Sequence, residues 1–222
     1  MIQTNRARLY NSFMQGVGED SIVAYHGTSL QVLRRIIETG EQPGAVEVPH
    51  QNVQAMVREG DIFMFPIKDR TDIVDDPLVQ MEALEEAMDY AGINAFCHRV
   101  CERLGWSVFS DGHEPSPLGH ELSLKYFAMD FLEGYNFRRI PKFIKFLLQR
   151  GYDFDQAARF VNRVADENQG VVLGYSKEVL NGTELIGHTS VDIRVQGVTI
   201  DHIVGVQALD KKSSLFLEGL AT

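Results

Sequence analysis

Cysteine is scarce. Cys97 and Cys101 are the only two among 222 residues. Two ligands from one helical turn do not make a structural zinc site, and no second Cys/His pair has matching spacing, although His98 stands between them. The pair reads instead as two small buried apolar residues on one helix face. So little cysteine fits a reducing compartment. Long apolar runs are missing too. Nothing approaches the roughly 18 consecutive apolar residues of a membrane-spanning helix. The opening residues, Met1-Ile-Gln-Thr-Asn-Arg-Ala-Arg8, lack the apolar core of a signal peptide. The expected location is therefore the cytoplasm of the producing cell, with no membrane partner. Cations are in deficit: 21 Lys and Arg face 31 Asp and Glu, a formal charge of -10. A dedicated nucleic-acid binder needs the opposite balance. A small anionic ligand needs only one local cluster or a helix N-terminus, so that class stays open. No internal repeat and no low-complexity segment occurs.

What is present is a core. Hydrophobic residues make up 44 % of the chain, enough for one domain, or one domain carrying a large insertion. The stretch Ile22-Val23-Ala24-Tyr25-His26-Gly27-Thr28-Ser29 organises the rest. Residues 21–26 read as a short buried strand that ends on a polar, glycine-containing turn. Thr28 or Ser29 sits where a helix N-cap belongs. Leu30, Leu33, Ile36 and Ile37 follow at helical spacing, and Gly40 is a natural stop. Before this stretch, residues 1–20 suggest a short helix and a turn. Beyond it, 62–65 is an apolar strand ended by Pro66. Residues 77–104 carry a helical pattern with Pro77 in the first turn. A strand at 106–109 and helices at 122–133, 141–149 and 154–167 follow. Arg138, Arg139, Lys142, Lys145 and Arg150 form the one local basic cluster, which reads as a solvated helix face. Strands return at 170–176 and 191–196, where apolar and polar residues alternate, and again within 198–206 after a turn or short helix. The fold class is α+β: a split, mainly antiparallel β-sheet in a single domain over 1–222, with a large helical insertion over 77–168.

Three segments, in this order, resemble a known family. Tyr25-His26-Gly27-Thr28, with a helix behind it that ends in Gly and a nearby Pro, resembles the opening of the ADP-ribosyltransferase fold. The nearest branch is the diphtheria-toxin-like and poly(ADP-ribose)-polymerase-like one, defined by a His, a Tyr and an acid on three strands. Gly170-Val-Val-Leu resembles the strand that precedes the acid, and Val191-Asp192-Ile-Arg-Val-Gln-Gly197 the strand that begins with it. The resemblance covers about a third of the chain and leaves the helical middle aside.

The resemblance implies NAD as substrate. His26 would bond the ribose hydroxyls, the backbone of Gly27 would pair with the nicotinamide carboxamide, and the small Thr28 hydroxyl would assist. Breaking the nicotinamide–ribose bond creates an oxocarbenium-like centre, which a carboxylate stabilises. Asp192 fits the strand position of that acid; Glu184, on the preceding loop Asn181-Gly-Thr-Glu184, is the runner-up. An aromatic ring would stack on the nicotinamide and keep water from it. Here the sequence departs from the family: 62–65 reads Ile-Phe-Met-Phe, so Phe65 or Phe63 stands for the tyrosine, and Tyr90 for a second ring on a following helix. A rival placement uses Val108-Phe109-Ser110-Asp111 as that strand and Tyr126 as the ring. The function implied is mono-ADP-ribosyl transfer to an acceptor that is more readily protein than nucleic acid. Two alternatives stand beside it. RNA 2′-phosphotransferases also begin with His-Gly-Thr, and would need Arg34, Arg35 and Arg194 to converge on a phosphate. The third is an inactive scaffold on the same fold that binds a protein.

Overall fold

Strand β1, Ala24–Ser29, runs into helix α1, Leu30–Thr39, without a turn between them. The strand was expected to stop at residue 26. It continues because Gly27, Thr28 and Ser29 stay in the ladder opposite Val172, Val171 and Gly170. Ser29 then caps the helix: its Oγ accepts from the Val32 N–H at 3.3 Å. Of the two expected caps, Ser29 fills the role. The far end of α1 closes on Gly40, whose φ of 82° suits glycine and whose N–H donates to the Ile36 carbonyl. Leu30, Val32, Leu33, Ile36 and Ile37 are all buried beneath the sheet. Each contributes about 1.5–3 kcal/mol when removed from water.

The computed structural model describes residues 22–43, 62–67, 77–104, 145, 147–166, 169–181, 184–188 and 193–221. After α1 come β2 (Ile62–Pro66), α2 (Pro77–Leu104), α3 (Phe154–Asp166), β3 (Gly170–Tyr175) and a short α4 (Glu178–Asn181). Then follow β4 (Glu184–His188), β5 (Ile193–Gln196), a 3-10 turn at Ile200–His202, β6 (Ile203–Ala208) and α5 (Lys211–Glu218). The expected elements at 1–20, 106–109 and 122–133 lie outside the described residues, as does the rival strand with Phe109 and Tyr126. Neither β4 nor α5 was anticipated.

The six strands form one sheet in the order β4-β5-β2-β1-β3-β6, and every neighbouring pair is antiparallel. The class is α+β. Side-chain alternation divides the core between the two faces. Ala24, Ile62, Met64, Val171, Leu173, Tyr175, Ile193 and Val195 join α1 and α5 on one face. Phe65, Val172, Ala83, Ala87 and Ala91, with half-buried Tyr25 and Leu84, form the cluster beneath α2 on the other. Helices on both faces leave every residue of β3 buried, which explains its continuous apolar run.

One seam in this sheet is short. β1 pairs with β3 over all six of its residues, but with β2 only at Ala24↔Pro66 and Tyr25↔Phe65. Past Tyr25 the two strands part. A side chain bridges the opening: His26 Nδ1 donates to the Phe63 carbonyl at 2.6 Å.

Candidate functional site

Of the residues singled out in the sequence, His26 sits at the mouth of that opening. A carbonyl oxygen only accepts, so Nδ1 carries a proton. The ring is thereby held by backbone that neighbouring strands keep in place. Thr28 is 2 % exposed and paired opposite Val171, which puts its hydroxyl inside the sheet core rather than in a cleft.

Gly27 faces the other way. A Cβ there would lie 1.8 Å from the Ala87 carbonyl oxygen and 2.4 Å from the Ala91 nitrogen. The close approach that Gly27 permits is therefore that of helix α2. Its carbonyl is engaged as well: Asn94 Nδ2 donates to Gly27 O at 2.7 Å.

The aromatic residues divide by role. Phe65 is buried on the α2 face, and Tyr90 reaches it from α2 with ring centroids 5.2 Å apart and planes tilted by 54°. Of the two placements weighed for the aromatic strand, β2 at Ile62–Pro66 is a strand and does bring its ring to Tyr90. A third ring between these two would need centroids about 7 Å apart, two stacking distances. At 5.2 Å the two rings leave no room for a third between them, and Tyr90 is 37 % exposed. Phe63, half-buried, lies opposite Arg194 of β5.

The two acids fall differently. Glu184 is not on a loop: it opens β4, opposite Gln196, because residues 184–188 find a ladder partner in β5. That places it at the C-terminal end of β5, with β5 between its strand and β2. Asp192 lies outside the described residues. The residue after it, Ile193, opens β5 opposite Met64, between Phe63 and Phe65.

Three polar contacts join α2 to β1 and the start of α1. Asn94 holds Gly27 O, His98 Nδ1 shares a 2.5 Å hydrogen bond with Ser29 Oγ, and Glu102 accepts from Gln31 Nε2 at 2.8 Å. Glu102 also pairs with Arg99. Sequence reasoning passed over Asn94, and weighed His98 only beside Cys97 and Cys101, not as a partner of Ser29. The step of four from Asn94 to His98, along a helix that also carries Ala83, Ala87, Ala91 and Ala95, was the available signal: a small-residue seam continued by polar side chains. The side chains of Cys97 and Cys101 lie outside the described residues. Among the described residues no group of three or more His, Cys, Asp and Glu side chains is arranged to hold a metal, and no helix is long and apolar enough to cross a membrane.

Neither protein-family models, nor curated proteins, nor solved structures match this chain.

Proposed function

We propose that the chain is an NAD-dependent mono-ADP-ribosyltransferase-like protein whose substrate enters at the parting of β1 and β2. The supporting observation is the adjacency of three strands distant in sequence. β5, β2 and β1 run side by side, and they are the strands to which the resemblance assigns the acid, the aromatic ring and the histidine. The sheet's short β1–β2 seam, bridged by His26, is the split that such a sheet needs. Residues 77–168 are then the helical insertion, entering between β2 and β3.

Each group has a physical task. The Nε2 of His26 accepts from a ribose hydroxyl while Phe63 O holds the ring still. Tyr90, backed by Phe65, offers its outer face to the nicotinamide. The C1′–N bond breaks heterolytically; the electron pair leaves with nicotinamide, and the acceptor nucleophile attacks C1′ and gives up its proton. A carboxylate near the 2′-hydroxyl offsets the positive charge that develops. Asp192 is the better assignment for that carboxylate, since it precedes the end of β5 that pairs with β2 beside both phenylalanines. Glu184 belongs to the opposite end and to the outermost strand.

Transfer of an RNA 2′-phosphate finds less support. Arg34 lies over the Phe216 ring of α5 at 5.0 Å, on the α1 face. Arg194 shares its cross-strand pair, and so its face, with Phe63. The inactive-scaffold reading has two favourable observations: the seating of α2 on Gly27, and the alternation of β1, which puts His26 in step with Ala24 and Thr28 on the α1 face while Phe65 and Tyr90 lie on the α2 face.

The test is nicotinamide release from NAD by the purified full chain, compared with His26→Ala and Asp192→Ala. Loss of turnover in both variants, with Glu184→Ala still active, is the expected result. No nicotinamide release by the unaltered chain, together with no NAD binding by calorimetry, would sink the proposal.

A further inference from the structure

Bonds at the two ends of β1 fix which of its residues face which neighbour. The pairs of an antiparallel ladder alternate between bonded and non-bonded. Leu30 N–H donates to Gln169 O at 2.8 Å, so Thr28, His26 and Ala24 turn their backbone groups to β3. Ile67 N–H donates to Val23 O at 2.9 Å, in phase with Tyr25↔Phe65, so Tyr25 and Gly27 turn theirs to β2. The next bonded pair in this register is Gly27 with Phe63. It does not form: the pairing of β1 with β2 stops at Tyr25↔Phe65.

Both carbonyls of the missing rung are taken by side chains. Phe63 O accepts from His26 Nδ1 at 2.6 Å, and Gly27 O accepts from Asn94 Nδ2 at 2.7 Å. His26 stands on the α1 face and Asn94 comes from α2 on the other, so the gap is plugged from both sides. A buried strand carbonyl needs a donor, and a ring N–H meets that need as a backbone N–H does. Phe63 O therefore has two candidate donors, His26 Nδ1–H and Gly27 N–H, and exchanging one for the other conserves the count of hydrogen bonds. The backbone of α2 stays locked over Gly27 at Ala87 and Ala91 in either case. The strand that shifts is β2, which carries β5 with it through Ile62↔Val195, Phe63↔Arg194 and Met64↔Ile193.

We infer that His26 is a latch that keeps the sheet parted beyond Tyr25: its Nδ1–H occupies Phe63 O in place of Gly27 N–H, and without that donor the seam zips by one further rung. This role stands whether or not the chain binds NAD. It makes the width of the opening a property of one side chain, and His26 a positioning residue for the half-sheet β2-β5-β4.

The experiment uses the isotopically labelled full chain with His26→Ala, which removes the donor, and His26→Asn, which keeps an N–H donor at the δ position. The readouts are the through-hydrogen-bond coupling between Gly27 N and Phe63 C′, and hydrogen exchange of the Gly27 amide. The coupling is expected in His26→Ala alone, with Gly27 exchange slowed about 10-fold or more there, the protection that one added backbone bond gives. Coupling already present in the unaltered chain overturns the inference. So does its appearance in His26→Asn, or a folded His26→Ala that lacks it and exchanges Gly27 as fast as before. Should His26→Ala fail to fold by circular dichroism, His26→Leu, which fills the space without a donor, takes its place under the same outcomes. Unfolding of both overturns the latch, because a zipped seam keeps Phe63 O paired.

Discussion

At the scale of single residues, Gly27 carries the sharpest packing constraint. The atoms that an added Cβ would meet are helix backbone, which cannot rotate aside as a side chain can. Gly27→Ala is therefore expected to cost about 3 kcal/mol of stability, in the range of strained overpacking. Urea unfolding monitored by circular dichroism measures it; a cost within error of zero would contradict the tight seating of α2. Tyr175 supplies a second residue-scale prediction. It is fully buried, burial holds its phenol well above the ordinary value, and its hydroxyl donates to Gln42 Oε1. A raised phenol pKa means that the folded state keeps the proton after the unfolded chain has lost it. Its stability is intact below about pH 10, the ordinary phenol value, and declines as pH rises further. Tyr175→Phe should flatten that alkaline decline. At neutral pH it should cost about 1–3 kcal/mol, because Gln42 loses the partner of Oε1 while its Nε2 already has none. Unfolding midpoints compared at neutral and alkaline pH test both statements.

At the scale of elements, Ser29 serves two helices. It caps α1 through Val32 and binds His98 of α2. Ser29→Ala should therefore destabilise by about 1–2 kcal/mol, the upper part of the range for a lost cap. It should also speed hydrogen exchange in α1 and α2 together. An effect confined to α1 would show that the His98 bond does not matter. These elements differ in how far the sequence disclosed them. α1 was legible because its apolar spacing, its cap and Gly40 are all local signals. β3 was legible as a short apolar run beginning at Gly170. β1 was drawn too short, because a polar His-Gly-Thr-Ser string reads as a turn until β3 is known to pair with it. β4 was hidden for a related reason: residues 184–188, Glu-Leu-Ile-Gly-His, contain too little alternation to announce a strand that β5 alone stabilises. The role of α2 was not legible at all. Its helical pattern was clear, but the choice of Ala87, Ala91 and Asn94 as the residues that touch Gly27 depends on which strand it crosses.

At the scale of the whole molecule, the order β4-β5-β2-β1-β3-β6 decides which strands are neighbours. It makes neighbours of the strands at 24–29, 62–66 and 193–196. It also sets Glu184, opposite Gln196, at the far end of β5 from Ile193, whereas Asp192 lies outside the described residues. The excess of ten negative charges has a consequence at this scale. Duplex nucleic acid should bind weakly, with no steep salt dependence of the kind that many phosphate contacts produce. A fluorescence titration at two salt concentrations checks this, and tight, salt-sensitive binding would refute the preference for a protein acceptor.

The central claim, that NAD enters where β1 and β2 part, is tested most directly by mapping amide resonances of the isotopically labelled chain during an NAD titration. The account predicts saturable shifts at Gly27 and Phe63 and in the side-chain amide of Asn94, with little change along β6 and α5. Saturating NAD that leaves those three signals in place, or that moves only residues remote from β1 and β2, would contradict it.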